Sequence, residues 1–350
     1  APAPRALPTR PASSGWGRSM MLILLLVLLL GGLATGGYLL QTQLYGLYNG
    51  LAIVGPAPDP PTEDTPLTVF SAVENNSENI YAKVGGNIQQ LTQFAAGTKA
   101  TQPAISPDGT RIAFSKEVTQ GGTDAETRST RYELWVMDRD GGKQRQLLTT
   151  VPLARAAAWS PDGKTLAVEI ANPGNEWRDH DIAIVDVITG QQRTLVDTPY
   201  WEGGPSWSPD GQQLVYHGRI NGVSCMQLFT ISAQGGSPEQ LTDLRNQDCS
   251  GTSSGDYWPD WSPNGSQIAF GRKLAGKEQL MLLNLATRAV QALPTGDLPA
   301  GYPRWARDSQ KILFEQGKGD NVSLAILDLK TNQITQVDTP FVGRYLADWF

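Results

Sequence analysis

Trp207-Ser208-Pro209-Asp210-Gly211, continuing into Gln212-Gln213-Leu214-Val215-Tyr216, recurs in closely similar form along the chain. The other copies are Ile105-Ser106-Pro107-Asp108-Gly109, Trp159-Ser160-Pro161-Asp162-Gly163 and Trp261-Ser262-Pro263-Asn264-Gly265, with a worn one at Trp305-Ala306-Arg307-Asp308-Ser309 and the start of a sixth at Trp349-Phe350. The lead residues 105, 159, 207, 261, 305 and 349 are 54, 48, 54, 44 and 44 positions apart. A period of that length holding several short strands is what one blade of a β-propeller requires.

Each unit carries the signals of a small antiparallel sheet. Ser-Pro-Asp-Gly suits a type I turn, because Ser bonds back to the backbone, Pro presets φ at the second position and Gly tolerates the exit. A β-rich run follows, such as Ile112-Ala113-Phe114 or Leu166-Ala167-Val168. Third strands are expected over 132–137, 181–187, 226–231, 279–283 and 323–327. A Gly- or Asn-bearing turn and a more polar fourth strand, such as 143–148 or 333–337, complete the unit.

Ahead of the first full copy, residues 67–71, 79–84 and 88–93 supply a second, third and fourth strand with no Trp-bearing first strand. Residues 345–350 supply the missing one. The expectation is an all-β, six-bladed β-propeller over 67–350 whose terminal strands are clasped into one blade, so that no inner edge is exposed. Its other blades are 103–148, 157–197, 205–243, 259–295 and 303–339.

The order Pro-x-Trp-Ser-Pro-Asp-Gly, an apolar strand, and a Gly-Gly turn before Gln-Leu-Thr resembles the WD40-like repeat of the TolB propeller family. Pro205 to Gly211, Gly235-Gly236 and Gln240-Leu241-Thr242 show it in full. The resemblance spans roughly residues 67–350 and implies a fold more than a function, since such propellers serve as docking platforms, sensors and partner domains of peptidases. No stretch is similar to the separate N-terminal α/β domain of TolB itself.

The chain has 350 residues, 40% of them hydrophobic, with 37 Gly and 24 Pro, which fits one large turn-rich β domain plus an appendage. Net charge is -6, and because Arg5, Arg10 and Arg18 are the only charges before Asp59, the remainder holds 25 basic against 34 acidic residues. That balance argues against nucleic acid and permits a basic partner.

Residues 1–19 are rich in Pro, Ala, Ser and Arg and read as a disordered cytoplasmic tail. Met20 to Leu40 is a run of 21 uncharged residues, long enough for a single transmembrane α-helix. The three preceding arginines put the N-terminus in the cytoplasm and the propeller on the periplasmic or extracellular side of the cell membrane. A cleaved leader is the rival reading, because Met21 to Leu30 resembles an h-region and Ala34-Thr35-Gly36 a cleavage site. Gly32 and Gly36 offer a small-residue face for packing against another helix. Residues 41–66 read as an interfacial segment and a Pro-rich linker; Pro56 to Pro61 reaches about 19 Å at polyproline pitch.

Little in the sequence suggests catalysis. Cys225 and Cys249, the only cysteines, are expected to pair outside the cytoplasm, the alternative being two buried thiols. His217 reads as a satisfied strand residue, and His180 lies in a polar stretch with Glu176, Asp179 and Asp181 that suits at most a weak cation site. No α/β-hydrolase nucleophile elbow, phosphate loop or zinc spacing is read from the sequence. The expectation is a protein that is not an enzyme, with no catalytic residue, cofactor or metal.

What remains is surface. Opposite the Ser-Pro-Asp-Gly turns, connections at 116–131, 171–180 and 243–258 are longer than hairpins need. That face collects Trp177, Tyr200, Trp201, Tyr257, Trp258, Tyr302, Arg344 and Tyr345, the residue types of a protein interface. Asp260, Arg304 and Asp348 fall on first strands and so near the axis. These readings converge on a membrane-anchored interaction or assembly module, an accessory subunit of a larger bacterial membrane complex. It would meet other subunits through its helix and loop face, and the lipid bilayer through its anchor. An extracytoplasmic sensor holding a small ligand in the channel is the alternative.

Overall fold

A computed structural model describes residues 67–74, 76–120, 129–148, 153–171, 179–249, 254–319, 321–341 and 347–350. Within them the chain is all-β, and no helix is long and apolar enough to cross a membrane. The expected span 20–40, with Gly32 and Gly36, lies outside the described residues.

The strands pair as successive antiparallel meanders. β1 (Leu67–Glu74), β2 (Ser77–Val84) and β3 (Asn87–Gln90) form the first. Next come β4 (Lys99–Ile105), β5 (Arg111–Gln120), β6 (Ser129–Asp138) and β7 (Arg145–Gln146), then β8 (Leu153–Trp159), β9 (Thr165–Ala171), β10 (His180–Asp186) and β11 (Gln192–Val196). β12 (Gly203–Trp207), β13 (Gln213–Gly218), β14 (Gln227–Ser232) and β15 (Glu239–Gln240) follow, and then β16 (Gly255–Trp261), β17 (Gln267–Leu274), β18 (Lys277–Asn284) and β19 (Val290–Ala292). After β20 (Ala300–Trp305), β21 (Lys311–Lys318), β22 (Asn321–Asp328) and β23 (Ile334–Val337), the C-terminal β24 (Ala347–Trp349) returns to pair with β1, Thr68 opposite Trp349 and Phe70 opposite Ala347. Single parallel pairs, Glu78 with Lys99 and Tyr132 with Leu153, join the first three meanders edge to edge.

The core lies between neighbouring meanders. Second strands bury three consecutive residues, as in Ile112-Ala113-Phe114, Ile268-Ala269-Phe270 and Ile312-Leu313-Phe314, because each of their faces meets another sheet. Apolar runs therefore replace strict alternation. Phe70, Phe114, Phe270 and Phe314 are wholly buried, each favouring the folded state by about 2–3 kcal/mol relative to an exposed ring.

The repeated turn is held by its own side chains. Ser106 Oγ donates to Asp108 Oδ1 (2.6 Å) and accepts from Arg111 N–H (2.9 Å), while Gly109, at φ 70°, donates to Ser106 O (2.8 Å). Ser160 with Asp162, Ser208 with Asp210 and Ser262 with Asn264 repeat the first bond. The worn copy has Arg307 in place of Pro; its guanidinium lies on the Phe350 ring and donates to Pro107 O.

Tryptophan stitches one meander to the next. The indole N–H of Trp159 donates to Ala104 O (2.9 Å), Trp207 to Ala158 O (3.1 Å), Trp305 to Asp260 O (3.1 Å) and Trp349 to Arg304 O (3.2 Å). Trp261 departs, donating to Gly265 O (3.3 Å) in its own turn.

Each of the inner strands β4, β8, β12, β16 and β20 is broken once by a register shift. At the break stands a residue of positive φ: Gln102 (54°), Ala156 (52°), Gly204 (56°), Trp258 (51°) and Tyr302 (54°). In all but Ala156 the next residue is Pro, which has no N–H for the ladder and is confined to such bulges or to edges.

Two expected connections are shorter than read: β5 and β6 stay paired from Arg111 with Asp138 as far as Gln120 with Ser129, and β16 begins at Gly255, inside the expected 243–258 connection; the third is bounded by Ala171, which ends β9, and His180, which opens β10. In each case cross-strand pairing supplies backbone partners that local polarity does not reveal.

Candidate functional site

The bulge at Gly203-Gly204 lets two buried titratable groups reach the inner strand. Glu169 sits mid-strand on β9, opposite Arg155 of β8, and is wholly buried. Its Oε1 accepts from Arg155 Nε (3.0 Å) and Nη2 (2.8 Å), from His180 Nδ1 (2.6 Å) and from the Trp201 indole (3.2 Å). Its Oε2 has no hydrogen-bond partner. A Cβ on Gly203 would stand 2.5 Å from that Oε2 and 3.0 Å from His217 Nε2, so only glycine admits the pair here.

Burial acts to raise the Glu169 carboxyl, but the Arg155 guanidinium, and after it His180, override this and hold it at about 2. His217 is pushed down by burial to about 4, against the opposing Glu169 charge. The imidazole is therefore neutral at pH 7. Its Nδ1 accepts from the Trp258 N–H (3.3 Å), which leaves the proton on Nε2.

This network carries aromatic side chains. The His180 ring meets Trp201 edge-on at 4.7 Å; His217 meets Tyr257 at 5.4 Å and Trp258 at 5.5 Å; and Trp258 packs on Tyr302 at 5.2 Å. Arg155 lies 5.7 Å from the Trp201 ring and 5.8 Å from Tyr132. Of the expected interaction face, Trp201, Tyr257, Trp258 and Tyr302 thus come together, all half-buried. Tyr200 is half-buried beside them, its N–H donating to Thr198 Oγ1 (3.2 Å). Trp177, Arg344 and Tyr345 lie outside the described residues.

No motif or spacing singles out Glu169 or Arg155; His217 lies buried on β13 as a hydrogen-bonded strand residue. The available signal is a lone acid inside the apolar run Leu166-Ala167-Val168-Glu169-Ile170. Cys225 and Cys249 form a disulfide across 24 positions, with Cα atoms 5.4 Å apart. No group of three His, Cys, Asp or Glu among the described residues is placed to hold a metal ion.

On the turn-bearing side a cavity of about 320 Å³ is lined by Pro107, Pro161, Pro209 and Pro263, with Asp260, Arg304 and Asp348 in its wall. Burial pushes Asp348 up to about 6 and raises Asp260, while Arg304 opposes both shifts.

Antiparallel meanders stitched by tryptophan, with bulged inner strands around an axial cavity, define a β-propeller. The chain belongs to the TolB beta propeller domain family, which matches residues 118–343. No curated protein matches the sequence. In structure the chain is similar to TolB from Acinetobacter baumannii, with a TM-score of 0.62 and 15% identity over 81% of this chain and 66% of that one. It is also similar to a puromycin-hydrolyzing peptidase of Mycobacterium tuberculosis (TM-score 0.54, 19% identity, 79% of this chain and 44% of that one). An oligogalacturonate lyase in complex with manganese gives a TM-score of 0.52 at 15% identity, over 79% of this chain and 73% of that one.

These last two correct one expectation. The expectation that the chain is not an enzyme does not stand, because the same fold occurs in a peptidase and a lyase. Propeller architecture excludes no catalytic role, since sites are grafted onto a fold and need not share a motif.

Proposed function

We propose that the chain is a protein-interaction module that docks a partner over Trp201, Tyr257, Trp258 and Tyr302. The observation that supports this reading is the continuity of the rings with the buried Glu169, His180 and His217, which limits the side-chain freedom lost when a partner covers them. Membership of the TolB propeller family is in keeping with it.

The finer reading takes the repeat period as six blades. It assigns 1–19 to a cytoplasmic tail, 20–40 to a membrane anchor, 41–66 to a linker and 67–350 to a propeller on the periplasmic or extracellular side. The chain would then be an accessory subunit of a larger bacterial membrane complex, with Gly32 and Gly36 packing against a partner helix. Mild detergent extraction, native-gel separation and mass spectrometry of co-migrating chains test it. Companions lost in a Trp201→Ala/Trp258→Ala variant support the face, and companions lost on Gly32→Leu/Gly36→Leu support the anchor. Migration as a lone species overturns the subunit reading.

The cavity of about 320 Å³ beside Arg304 favours a second reading, a small ligand bound in the channel. A ligand that raises Tm of the full chain in the absence of companions would select it.

A further inference from the structure

Three departures from the repeat meet on the turn-bearing side, between the meander β12–β15 and the meander β16–β19. The first is Trp261. The other lead tryptophans donate their indole N–H to the preceding meander, whereas this one turns to Gly265 O (3.3 Å). The second is Thr230, on β14 opposite Val215; the equivalent residues Ala82, Val136, Ile184, Leu282 and Ile326 are all apolar. Thr230 is 5% exposed, and no hydrogen bond among the described residues engages its hydroxyl.

The third is an exchange of charge. Opposite Val136 and Ile184 the fourth strands carry Arg145 and Arg193, whose guanidinium groups reach forward to Val187 O and Ala233 O of the next meander. Opposite Thr230 stands Glu239, an acceptor, and the bridge comes from the other side: Arg288 donates to Glu239 Oε1. Arg288 holds φ 60° at the turn position that Gly190 and Asn332 fill elsewhere. Its N–H donates to Asn284 O (2.8 Å), as theirs do to Asp186 O and Asp328 O. A long side chain is unfavourable in that left-handed conformation, and strain of this kind collects at functional sites.

Between these residues lies a cavity of about 510 Å³, walled by Trp261, Leu241 and Leu285 as well as Thr230, Glu239 and Arg288. Small-molecule sites measure roughly 300–1,000 Å³. Asp210 and Gln213 also border it. Two carboxylates against one guanidinium disfavour an anion, and no three ligands among the described residues are placed to hold a metal ion. Hydroxyl, amide and carboxylate groups beside aliphatic and indole surface suit a ring with hydroxyls on its edge and C–H on its faces. We propose that this cavity binds a neutral mono- or disaccharide, with Thr230, Glu239 and Arg288 as its hydrogen-bonding groups. The site is separate from the aromatic face and needs no docked partner.

The test uses the full chain at neutral pH in a detergent without a sugar headgroup. Glucose, N-acetylglucosamine, maltose and cellobiose are the probes, glucosamine and glucuronate the charged controls, and binding is read by calorimetry and tryptophan fluorescence. At least one neutral saccharide is expected to bind one to one and more tightly than either control. Thr230→Val and Arg288→Asn each install a residue type found at the same place in another meander, so both variants should fold. Each should weaken that saccharide by about tenfold or more, as loss of one hydrogen bond to a charged or buried group does. Arg288→Asn, relieved of a left-handed arginine, should show a Tm no lower than wild type, and Gly86→Ala should bind as wild type does. No one-to-one binding of any of the four probes, or an affinity unchanged in either Thr230→Val or Arg288→Asn, overturns the proposal. So does tighter binding of glucosamine or glucuronate.

Discussion

The Ile105 N–H donates to Asp348 Oδ2 at 2.8 Å, joining positions 243 apart in the chain. Asp260 accepts from Trp305 N–H (2.7 Å) in the same way, and the Ser206 hydroxyl from Trp261 N–H (3.1 Å). The residue before one unit's lead residue thus caps the lead N–H of the next. At Asp348 this cap runs from the last strand back to β4, beside the pairing of β24 with β1.

Burial pushes Asp348 up to about 6, with Arg304 opposing and Asp260 adding to the shift. A carboxyl raised in the fold contributes stability that is complete below its unfolded value near 4 and is lost as pH rises through about 6. Asp348→Asn keeps an acceptor for Ile105 without the charge. Its Tm should match wild type at pH 4 and surpass it at pH 8, by the equivalent of about 1–3 kcal/mol. Asp348→Ala, which orphans the Ile105 N–H, should lose about 1–3 kcal/mol at both. An Asn variant less stable than wild type at pH 8 would contradict the reading.

Glu169 has the opposite sign. Held down at about 2, it contributes stability above its unfolded value near 4.3 and loses it as pH falls toward 2. Glu169→Gln leaves Arg155 facing an uncharged amide and should cost about 3–5 kcal/mol in urea unfolding at pH 7. The deficit should shrink as pH approaches 2; an equal deficit at both ends would count against the ion network.

Gly203→Ala tests the close approach directly. Its Cβ would meet Glu169 Oε2 at 2.5 Å, and overpacking of this kind costs about 1–3 kcal/mol. Gly86→Ala is the control, since a Cβ there meets nothing within 4 Å. Urea midpoints of the two variants should differ clearly, and equal midpoints would refute the contact.

The Cys225–Cys249 disulfide closes a loop spanning 24 positions. Reduction, or replacement of both cysteines by Ser, should lower stability by about 3 kcal/mol through the freedom returned to the unfolded chain. Intact-mass analysis with and without reductant, paired with thermal unfolding, would show an unchanged Tm if the bond carries no such constraint.

Much of the architecture was legible because its causes are local. Ser208, Asp210 and Gly211 meet within one turn, so the repeat reports its own geometry. The bulges had a signal too, in Pro103, Pro205, Pro259 and Pro303, although Ala156 shows that the bulge forms without proline. Trp258 and Tyr302 hold the same place in successive repeats, and their rings meet at 5.2 Å.

The sequence by itself determined the period, the turns and the all-β class, since each depends on residues a few positions apart and on the backbone preferences of Pro, Gly and Asp. Only the tertiary structure decided that Arg155, Glu169, His180 and His217 form one buried network, and that Glu202 stands beside it with an unpartnered oxygen. These groups sit on different strands of neighbouring meanders, where burial and distance set their charge, and neither quantity is written in the identity or spacing of the residues.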